Sequence, residues 1–561
     1  MKKALALVLA LTMAMSLAAC GGTPAPASSG GTGSAANVDT AMYPGTSEPD
    51  TVVVNITSEP PEMNSITTTD ATAINIMRQV GEGLTALDAS NKAVQGVAES
   101  WTTSEDGLTW TFNLRKDSVW SNGEPVTAND FVFSITRLFT PEAAAPYAGT
   151  WATYIKGAVE LLNGEGTAEG LGVKAVDDYT LEIVLNAPCS YFANLMAFPN
   201  FYPMNEKFYT EMGMEDGYAL DMDKMLFNGP YVMSEWQHDD HVTLTKNDKY
   251  WDKANKALIP TIKMMMISDS NAALTAFQAG DIDMIGLSGE QVKMLSAEGA
   301  DVKQYADGTP AYLEFNVSES ASSPALANAK VRRAITLAID AESYCRNVAQ
   351  NSNMAADGMV PPVVGNGKYT EKRGSLIERP TDGDYTEVKA LFEEGCKEAG
   401  VDPASMDLKY ITDEGDSAYK MAAFIQEQLQ QNLGLKIHIE SMPFKQRLDA
   451  QSNKQFDICL ALWGPDYDDA MTYLDMFVTG TGNNHTGWSN AEYDKLIEAA
   501  YAEGDPEKHQ EIMIEAEKLL MEEMPIGPIY FRVRDYITSA KFSGVIRNAF
   551  QDGVMTYATL N

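Results

Sequence analysis

The residues best placed for binding chemistry follow an apolar stretch near residue 460. Residues 456–463 are apolar at most positions and predict a buried strand, which leads into the segment Trp463–Asp469, with the sequence WGPDYDD. A loop that leaves a buried strand is a usual position for binding residues. A ligand ammonium removed from water needs a fixed carboxylate, because an unpaired buried charge is prohibitive. The aspartates of this segment, Asp466 among them, could supply such a carboxylate, with capping of the turn as the alternative role, and Asp468 and Asp469 are expected to be solvated.

A second site of chemistry is predicted at Cys20. A basic start is followed by an uncharged apolar run over residues 4–19, which is typical of a secretory signal. The sequence LAAC at residues 17–20 resembles a bacterial lipobox, which implies that Cys20 receives a diacylglyceryl group and becomes the mature N-terminus. Two acyl chains are enough for stable anchoring. We therefore expect a lipoprotein signal peptide over residues 1–20 and a lipid anchor on the extracellular or periplasmic face of the cell membrane, with an ordinary secretory signal as the alternative.

The other cysteines and the histidines do not predict a metal or catalytic site. No C-x-x-C motif joins Cys189, Cys345, Cys396 and Cys459, so we expect free buried thiols, while two disulfides in any of three connectivities stay open. The one close histidine pair, H-x-x-H at residues 238–241, has no nearby cysteine, so neither a metal nor a cofactor is expected. No G-x-S-x-G, H-E-x-x-H or S-x-x-K motif occurs in a credible context, which argues against an enzyme.

Composition limits the size, class and partners of the protein. A chain of 561 residues is too long for one core, so two or three domains are expected, and 45% hydrophobic residues are typical of a globular protein. Removal of the signal leaves 39 basic residues, two fewer than in the whole chain, against 78 acidic ones, a formal net charge of −39. This charge argues against nucleic acid or an anionic membrane face as a partner. The Gly/Ser/Ala/Thr/Pro-rich residues 21–50 predict a flexible linker, and no later apolar run reaches the ~20 residues of a membrane span.

Strands and helices alternate along the rest of the chain. Alternating or apolar runs predict strands near residues 51–56, 108–114, 179–185, 258–267, 435–439 and 456–463. Helical spacing predicts helices over residues 331–349, 421–433 and 506–524. Thr127 and Asp130 predict the capped start of another helix, and Gly434 predicts a helix end. This order of elements favours an α/β protein with mixed sheets.

Several sequence blocks together resemble one family. They are AESW and DGLTWTF within residues 98–112, WSNGEPVTA at 120–128, NGPY and YW within 228–251, VRRAI and AID within 331–340, GWSN and YD within 487–494, and the run 505–530. In this order they resemble the extracellular solute-binding proteins of family 5, the peptide-, nickel- and sometimes sugar-binding receptors of ABC importers. The resemblance covers about residues 51–561, and the lipobox agrees with it independently.

The resemblance implies a fold and a way of working. The fold would be α/β, a two-lobed clamp like that of periplasmic binding proteins, with mixed sheets and an extra subdomain on the first lobe. The implied divisions are lobe I (51–72, 225–311 and 531–561), the extra subdomain (73–224) and lobe II (312–530). Two crossing strands would form the hinge, and a ligand would be buried between the closing lobes. The protein would be a monomer that docks on an ABC permease and its ATPase subunits.

The resemblance also implies residues that bind the ligand. Asp466 matches the aspartate of a Trp-x-x-Asp motif that holds the α-ammonium of a peptide in oligopeptide-binding members, and Trp463 would line the cleft or pack in the core. Two extended stretches match segments that bind the peptide main chain: Glu59-Pro60-Pro61 and Leu462-Trp463-Gly464. The two prolines lack an N–H group, so the first stretch is expected to align a peptide weakly or in another register.

The remaining candidates rest on the resemblance alone. Leu460 takes the position where some relatives have an arginine near the carboxylate of a short peptide, so carboxylate capture at a fixed length is left in doubt. The further candidate binding residues are Tyr312 and Asn316 at the implied hinge, Asn483, Asn484 and Thr486 before GWSN, and Tyr530 near the return crossing. Taken singly, each is expected to pack in the core or to cap a turn.

The expected function is therefore a receptor for peptide uptake, whose partners are a peptide, the permease and the ATPases. Within the family, the alternatives are an oligosaccharide or another solute held by aromatic stacking, and nickel, which the five histidines make less attractive. Outside it, the alternatives are a secreted hydrolase and a signalling or adhesion lipoprotein.

Overall fold

The computed structural model describes residues 42–561, apart from the side chains of Glu215 and Asp416. The predicted signal peptide, Cys20 and residues 21–41 of the predicted linker lie outside the described residues. Between residues 42 and 561, no helix has both the length and the apolar character needed to cross a membrane.

The first part of the described chain alternates between short strands and helices. Its strands are β1 (Thr51–Asn55), β2 (Thr85–Leu87), β3 (Ala93–Gln95), β4 (Ala98–Thr103), β5 (Thr109–Leu114), β6 (Val173–Asp177), β7 (Thr180–Val184), β8 (Tyr231–Gln237), β9 (His241–Lys246), β10 (Thr261–Met265) and β11 (Met284–Gly286). Its helices are α1 (Ala71–Val80), α2 (Ala128–Leu138), α3 (Ala148–Ala152), α4 (Ala158–Leu162), α5 (Phe192–Leu195), α6 (Glu206–Glu211), α7 (Ser270–Ala279) and α8 (Gly289–Ala297).

The second part has longer helices and two long strands. Its strands are β12 (Lys303–Phe315), β13 (Met354–Ala355), β14 (Asp407–Asp413), β15 (Lys436–Met442), β16 (Ile458–Leu462), β17 (Ile526–Thr538), β18 (Phe542–Ser543), β19 (Ile546–Arg547), β20 (Asp552–Val554) and β21 (Thr559–Leu560). Its helices are α9 (Ala329–Leu337), α10 (Ala341–Ser343), α11 (Lys368–Arg373), α12 (Thr386–Glu398), α13 (Asp416–Leu433), α14 (Phe444–Ser452), α15 (Met471–Leu474), α16 (Ala491–Ala502) and α17 (Pro506–Glu523).

A mixed sheet connects both parts of the chain. Its strand order is β15-β14-β16-β12-β17-β11-β1-β10-β9-β8, and β13 pairs with β17. The parallel pairs are β14 with β15 and β16 at one end, and β1 with β10 and β11 towards the other. The remaining neighbours in this sheet are antiparallel. The predicted α/β fold with a mixed sheet is confirmed.

Strands β12 and β17 join the two ends of this sheet. They are antiparallel partners of 13 residues each, and their register shifts between Ala306 and Pro310. At this bulge Gly308 has a φ of 72°, in the left-handed region that favours glycine. A Cβ atom on Gly308 would lie 2.7 Å from Cγ of Pro465, so the bulge packs against the turn that contains Asp466. The predicted lobe boundaries at 312 and 530 fall within these two strands, and the division into lobes stays a prediction.

Residues 73–224 contain a separate antiparallel sheet with the order β4-β5-β7-β6. Helix α2 packs beside it and begins at the predicted cap, where the Thr127 N–H donates to Oδ2 of Asp130 at 2.7 Å. Trp151 is fully buried in this region, and its indole N–H donates to Oδ1 of Asn200 at 2.8 Å.

Most of the predicted elements occur where the local pattern was strong, but one predicted helix was wrong. The run 331–349 is not continuous: α9 ends at Leu337, and Asp340 caps α10 by accepting from the N–H of Ser343. The Asp340 carboxylate satisfies the N–H of Ser343 in the first turn of α10. This local bond favours the start of a new helix over continuation of α9.

The four described cysteines are free and buried, as predicted from their scattered positions. Burial raises the pKa of the Cys345 thiol to about 12 and that of Cys396 to about 11. Protonated thiols in the interior are poor nucleophiles, so these residues contribute packing and no chemistry.

Candidate functional site

Asp466 lies in the turn that follows β16, a central strand between β14 and β12. Its backbone N–H donates to Oγ1 of Thr472 at 3.1 Å, which fixes the turn. Its Oδ1 atom accepts from the hydroxyl of Tyr147 at 3.1 Å. Within residues 42–561 no hydrogen bond reaches Oδ2 of Asp466. Oδ1 is thus held by the protein, and Oδ2 is left to accept a hydrogen bond from a ligand.

The environment of Asp466 disfavours a negative charge. The side chain keeps some solvent access. Burial raises the pKa of Asp466 to about 7, and the charge of the nearby Asp475 also raises it. The hydrogen bond from Tyr147 and the positive charge of Arg78 lower this pKa. Asp466 borders a small cavity, whose other lining residues include Arg78, Asn91, Asn194, Phe198 and Phe550. A positive ligand group in this cavity would restore the charged form of the carboxylate.

Aromatic residues hold the region of residues 147–191 against the Asp466 turn. The ring of Tyr467 stacks on Tyr191 with centroids 5.4 Å apart and an interplanar angle of 9°. Its hydroxyl lies 3.1 Å from the hydroxyl of Tyr154, and its ring lies 6.1 Å from that of Trp151. These contacts and the Tyr147 bond close the cleft over Asp466.

The expectation that Asp468 and Asp469 are solvated was wrong. Oδ1 of Asp468 accepts from the Gly365 N–H at 2.8 Å. Oδ1 of Asp469 accepts from the Met471 N–H at 2.8 Å and lies 3.0 Å from Nε2 of His509. The carboxylates of Asp468 and Asp469 thus bind groups of the fold, and Asp468 also borders the small cavity beside Asp466.

The predicted main-chain segment Leu462–Gly464 lies open beside Asp466. Leu462 is 43% exposed and Gly464 is exposed, while Trp463 is half-buried. The Gly464 amide has no backbone partner among the residues that the structure describes. The indole N–H of Trp463 is buried and has no hydrogen-bond acceptor within residues 42–561.

Glu59 of the other predicted segment is engaged elsewhere. Its carboxylate accepts from the indole of Trp236 at 2.9 Å and from the N–H of Asp239 at 3.0 Å, and it lies 2.5 Å from Nδ1 of His238. Glu59 thus fixes the β8–β9 hairpin. Pro60 is buried and Pro61 is exposed, and a ligand contact for this segment stays a prediction.

Two of the predicted asparagines, Asn316 and Asn484, have their hydrogen-bonding capacity filled within the fold, whereas Asn483 is exposed. The Asn316 amide donates to the carbonyls of Lys454 (3.1 Å) and Phe456 (2.8 Å). The Asn484 amide donates to the carbonyls of Phe477 (3.1 Å) and Trp488 (2.9 Å). These bonds favour turn capping, which was the expected role of each taken singly.

The other residues inferred from the resemblance alone also pack inside. Tyr312 meets Phe477 edge to face at 6.2 Å, and Tyr530 stacks on Tyr344 at 5.5 Å. Thr486 is fully buried and donates to Oδ1 of Asn484 at 2.7 Å. None of these three residues lines the cavity at Asp466, so their ligand contacts stay predictions.

Two functional candidates escaped the sequence reasoning, Tyr147 and Arg78. Tyr147 is 319 positions from Asp466, and no local pattern marks either residue. Only the packing of the chain brings both to Asp466.

The described residues contain no cluster of side chains suited to a metal ion. No three His, Cys, Asp or Glu side chains within residues 42–561 are grouped to hold an ion. A wider cavity is lined by Trp101, Trp251, Lys256 and Tyr557, among others, and Asp466 is not one of its lining residues.

Comparison with known proteins assigns the chain to a family. The sequence model of the bacterial extracellular solute-binding proteins, family 5 Middle, matches residues 92–485. The chain belongs to this family. The predicted resemblance is therefore confirmed.

Two similar relatives come from Bacillus subtilis. The oligopeptide-binding protein OppA is 34% identical over 506 residues, which is 88% of this chain and 90% of that protein. The dipeptide-binding protein DppE is 32% identical over 476 residues, 84% of this chain and 85% of that protein. Among solved structures, OppA of Listeria monocytogenes bound to peptide has a TM-score of 0.77 and 34% identity, covering 92% of this chain and all of that one. The predicted clamp-like fold of a solute-binding protein is thus confirmed.

Proposed function

We propose that this solute-binding protein captures peptides outside the cytoplasm, holds their α-ammonium group at Asp466 and delivers them to an ABC permease with its ATPase subunits. The observation that carries the proposal is the half-satisfied carboxylate of Asp466 at the edge of a small cavity. A carboxylate whose pKa is raised by burial gains most from a cation placed beside it. Similarity to oligopeptide- and dipeptide-binding proteins supports a peptide as the source of that cation.

The segment next to Asp466 can bind a peptide main chain. Gly464 is exposed, and its amide has no backbone partner among the described residues. The buried indole N–H of Trp463 has no acceptor among these residues either. A buried donor without an acceptor costs about 1–3 kcal/mol, and a ligand carbonyl would remove that cost. Main-chain bonds give affinity without reading side chains, as a receptor for varied peptides requires.

The proposal extends to the place of action. A lipid anchor on Cys20 would hold a monomer at the outer face of the membrane, with residues 21–50 as linker and no contact with nucleic acid. The protein would bind and release its cargo unchanged, without a cofactor. Under this proposal lobe I, the extra subdomain and lobe II have the boundaries given above, with β12 and β17 as the hinge.

Native mass spectrometry of the purified protein tests the ligand class. We expect a mass excess equal to one or more peptides that disappears on denaturation, and no such excess in the variant Asp466→Asn. Excess masses that fit hexose units would instead favour an oligosaccharide. A protein that carries nothing and binds no free-amino peptide on titration would contradict the proposal.

The raised pKa of Asp466 predicts a pH-dependent affinity. Only the carboxylate form attracts an ammonium, and the peptide amine stays charged below about pH 7.7. As the pH falls below about 7, Asp466 takes up a proton and the dissociation constant should rise by nearly tenfold per pH unit. Calorimetric titrations from pH 5 to 7 check this, with Asp466→Asn as the control that should show no such trend. A flat profile for the wild-type protein would count against the assignment.

A further inference from the structure

Arg78 is a second charged group in the cleft. It lies on α1 and borders the same small cavity as Asp466. Its Nη1 donates to Oδ1 of Asn75 at 3.2 Å, and its guanidinium carbon lies 5.8 Å from the ring centroid of Phe198. Within residues 42–561 no carboxylate oxygen lies within 4.0 Å of its side-chain nitrogens. Arg78 therefore has one neutral acceptor and one aromatic face for a full positive charge.

The acidic residues nearest to Arg78 are already engaged. Asp552 receives a hydrogen bond from Nε of Arg547 at 2.7 Å. Asp466 lowers the cost of burying Arg78, yet its Oδ1 is bound to Tyr147 and its free oxygen is the proposed ligand of an ammonium. When that ammonium arrives, its positive charge repels Arg78 and offsets the attraction of Asp466, so Arg78 is left as a confined cation without a counter-ion of its own, which is costly.

The position of Arg78 makes it accessible from the cleft. It lines both the cavity at Asp466 and the adjoining one, whose further residues include Glu82, Tyr202 and Lys256. In the second cavity the charges of Glu82 and Lys256 compensate each other, since Nζ of Lys256 lies 3.4 Å from Oε1 of Glu82. Arg78, which borders both cavities, has no such close ion pair among the described residues.

We infer that Arg78 binds a carboxylate that the ligand carries close to its amino end, so that Asp466 and Arg78 together recognise a zwitterionic ligand head. The inference rests on the proposed function and adds a preference to it. The carboxylate can come from an acidic side chain at the first or second position, or from the C-terminus of a dipeptide. A guanidinium suits this role because it can give two parallel hydrogen bonds to one carboxylate.

Calorimetry with matched ligands at pH 7.5 tests the inference. The side-chain pairs are the tripeptides Asp-Ala-Ala against Asn-Ala-Ala and Ala-Asp-Ala against Ala-Asn-Ala, and the C-terminal pair is Ala-Ala against its amide. In at least one pair we expect the charged ligand to bind about tenfold more tightly. The pairs that differ identify the source of the carboxylate. In the variant Arg78→Met the ratio should fall to about one, and Arg78→Lys should restore part of it.

The control variant is Arg346→Met, which removes an arginine whose side chain is 68% exposed and should leave every ratio unchanged. Equal binding within all three pairs of the wild-type protein would overturn the inference, even if Arg78→Met fails to fold. A charge preference that survives in Arg78→Met would overturn it as well. If peptide binding depends on Asp466 but shows no preference for the charged ligands, the proposed function stands and the role of Arg78 is refuted. If no peptide binds, both the proposed function and the role of Arg78 are refuted.

Discussion

Asp466→Asn is expected to weaken the binding of a free-amino tripeptide by about 100- to 5000-fold. Removal of one partner from a desolvated ion pair costs about 3–5 kcal/mol, because the other charge stays buried without compensation. Asparagine keeps the size of the side chain and an oxygen that can accept from Tyr147. The loss should therefore reflect the missing charge, and calorimetric titration at pH 7.5 measures it.

The empty protein should tolerate this change. The pKa of Asp466 is raised to about 7 in the fold, above the value of about 3.9 for an unfolded chain. The folded state therefore binds more protons between these values, and the contribution of Asp466 to stability falls as the pH rises through this window. At pH 8 the melting temperature of empty Asp466→Asn should equal or exceed that of the wild type. The exposed Asp281 offers a control of equal charge change, since Asp281→Asn should alter neither affinity nor melting temperature. An early-melting Asp466→Asn would show a structural role for the residue.

Arg373→Met is expected to lower the free energy of unfolding by about 3–5 kcal/mol. Arg373 and Glu517 form an ion pair at 2.7 Å, and both side chains are fully buried. Oε1 of Glu517 also accepts from the N–H groups of Met359 (2.8 Å) and Val360 (3.0 Å), so the pair ties α17 to the loop before α11. Burial raises the pKa of Glu517, opposed mainly by the charge of Arg373. Without that charge the carboxyl must be buried uncompensated or protonated.

Denaturant unfolding monitored by circular dichroism measures this loss. Arg346→Met is again the matched control, since its pair with Glu342 at 3.8 Å is exposed on both sides. Exposed pairs contribute about 0–1 kcal/mol. Two variants that unfold at the same denaturant concentration would contradict the importance of the buried pair.

The elements that the sequence predicts well are those specified by neighbouring residues. The capping pair Thr127–Asp130 marks the start of α2, and Gly434 ends α13 with a φ of 77°. Helix α17 follows from apolar spacing after Pro506. The break after α9 was missed because apolar residues continue at helical spacing across it, while the new cap depends on the single side chain of Asp340.

The site was less predictable because its partners are distant in the chain. Sequence reasoning placed Asp466 in an open turn after a buried strand, and the structure has it there. Tyr147 and Arg78 reach it only through tertiary packing. The same limit applies to Glu59, which the resemblance placed in a main-chain-binding stretch: its carboxylate holds a hairpin through Trp236, 177 positions away on β8.

The central claim is that Asp466 neutralises the amino end of a peptide, and one calorimetric comparison tests it most directly. The same tripeptide is titrated with its amino group free and N-acetylated, into the wild-type protein and into Asp466→Asn. Acetylation should weaken binding to the wild type by about 100-fold or more and should have little further effect in the variant. Equal affinity of both peptides for the wild type, or the same loss on acetylation in both proteins, would contradict the claim.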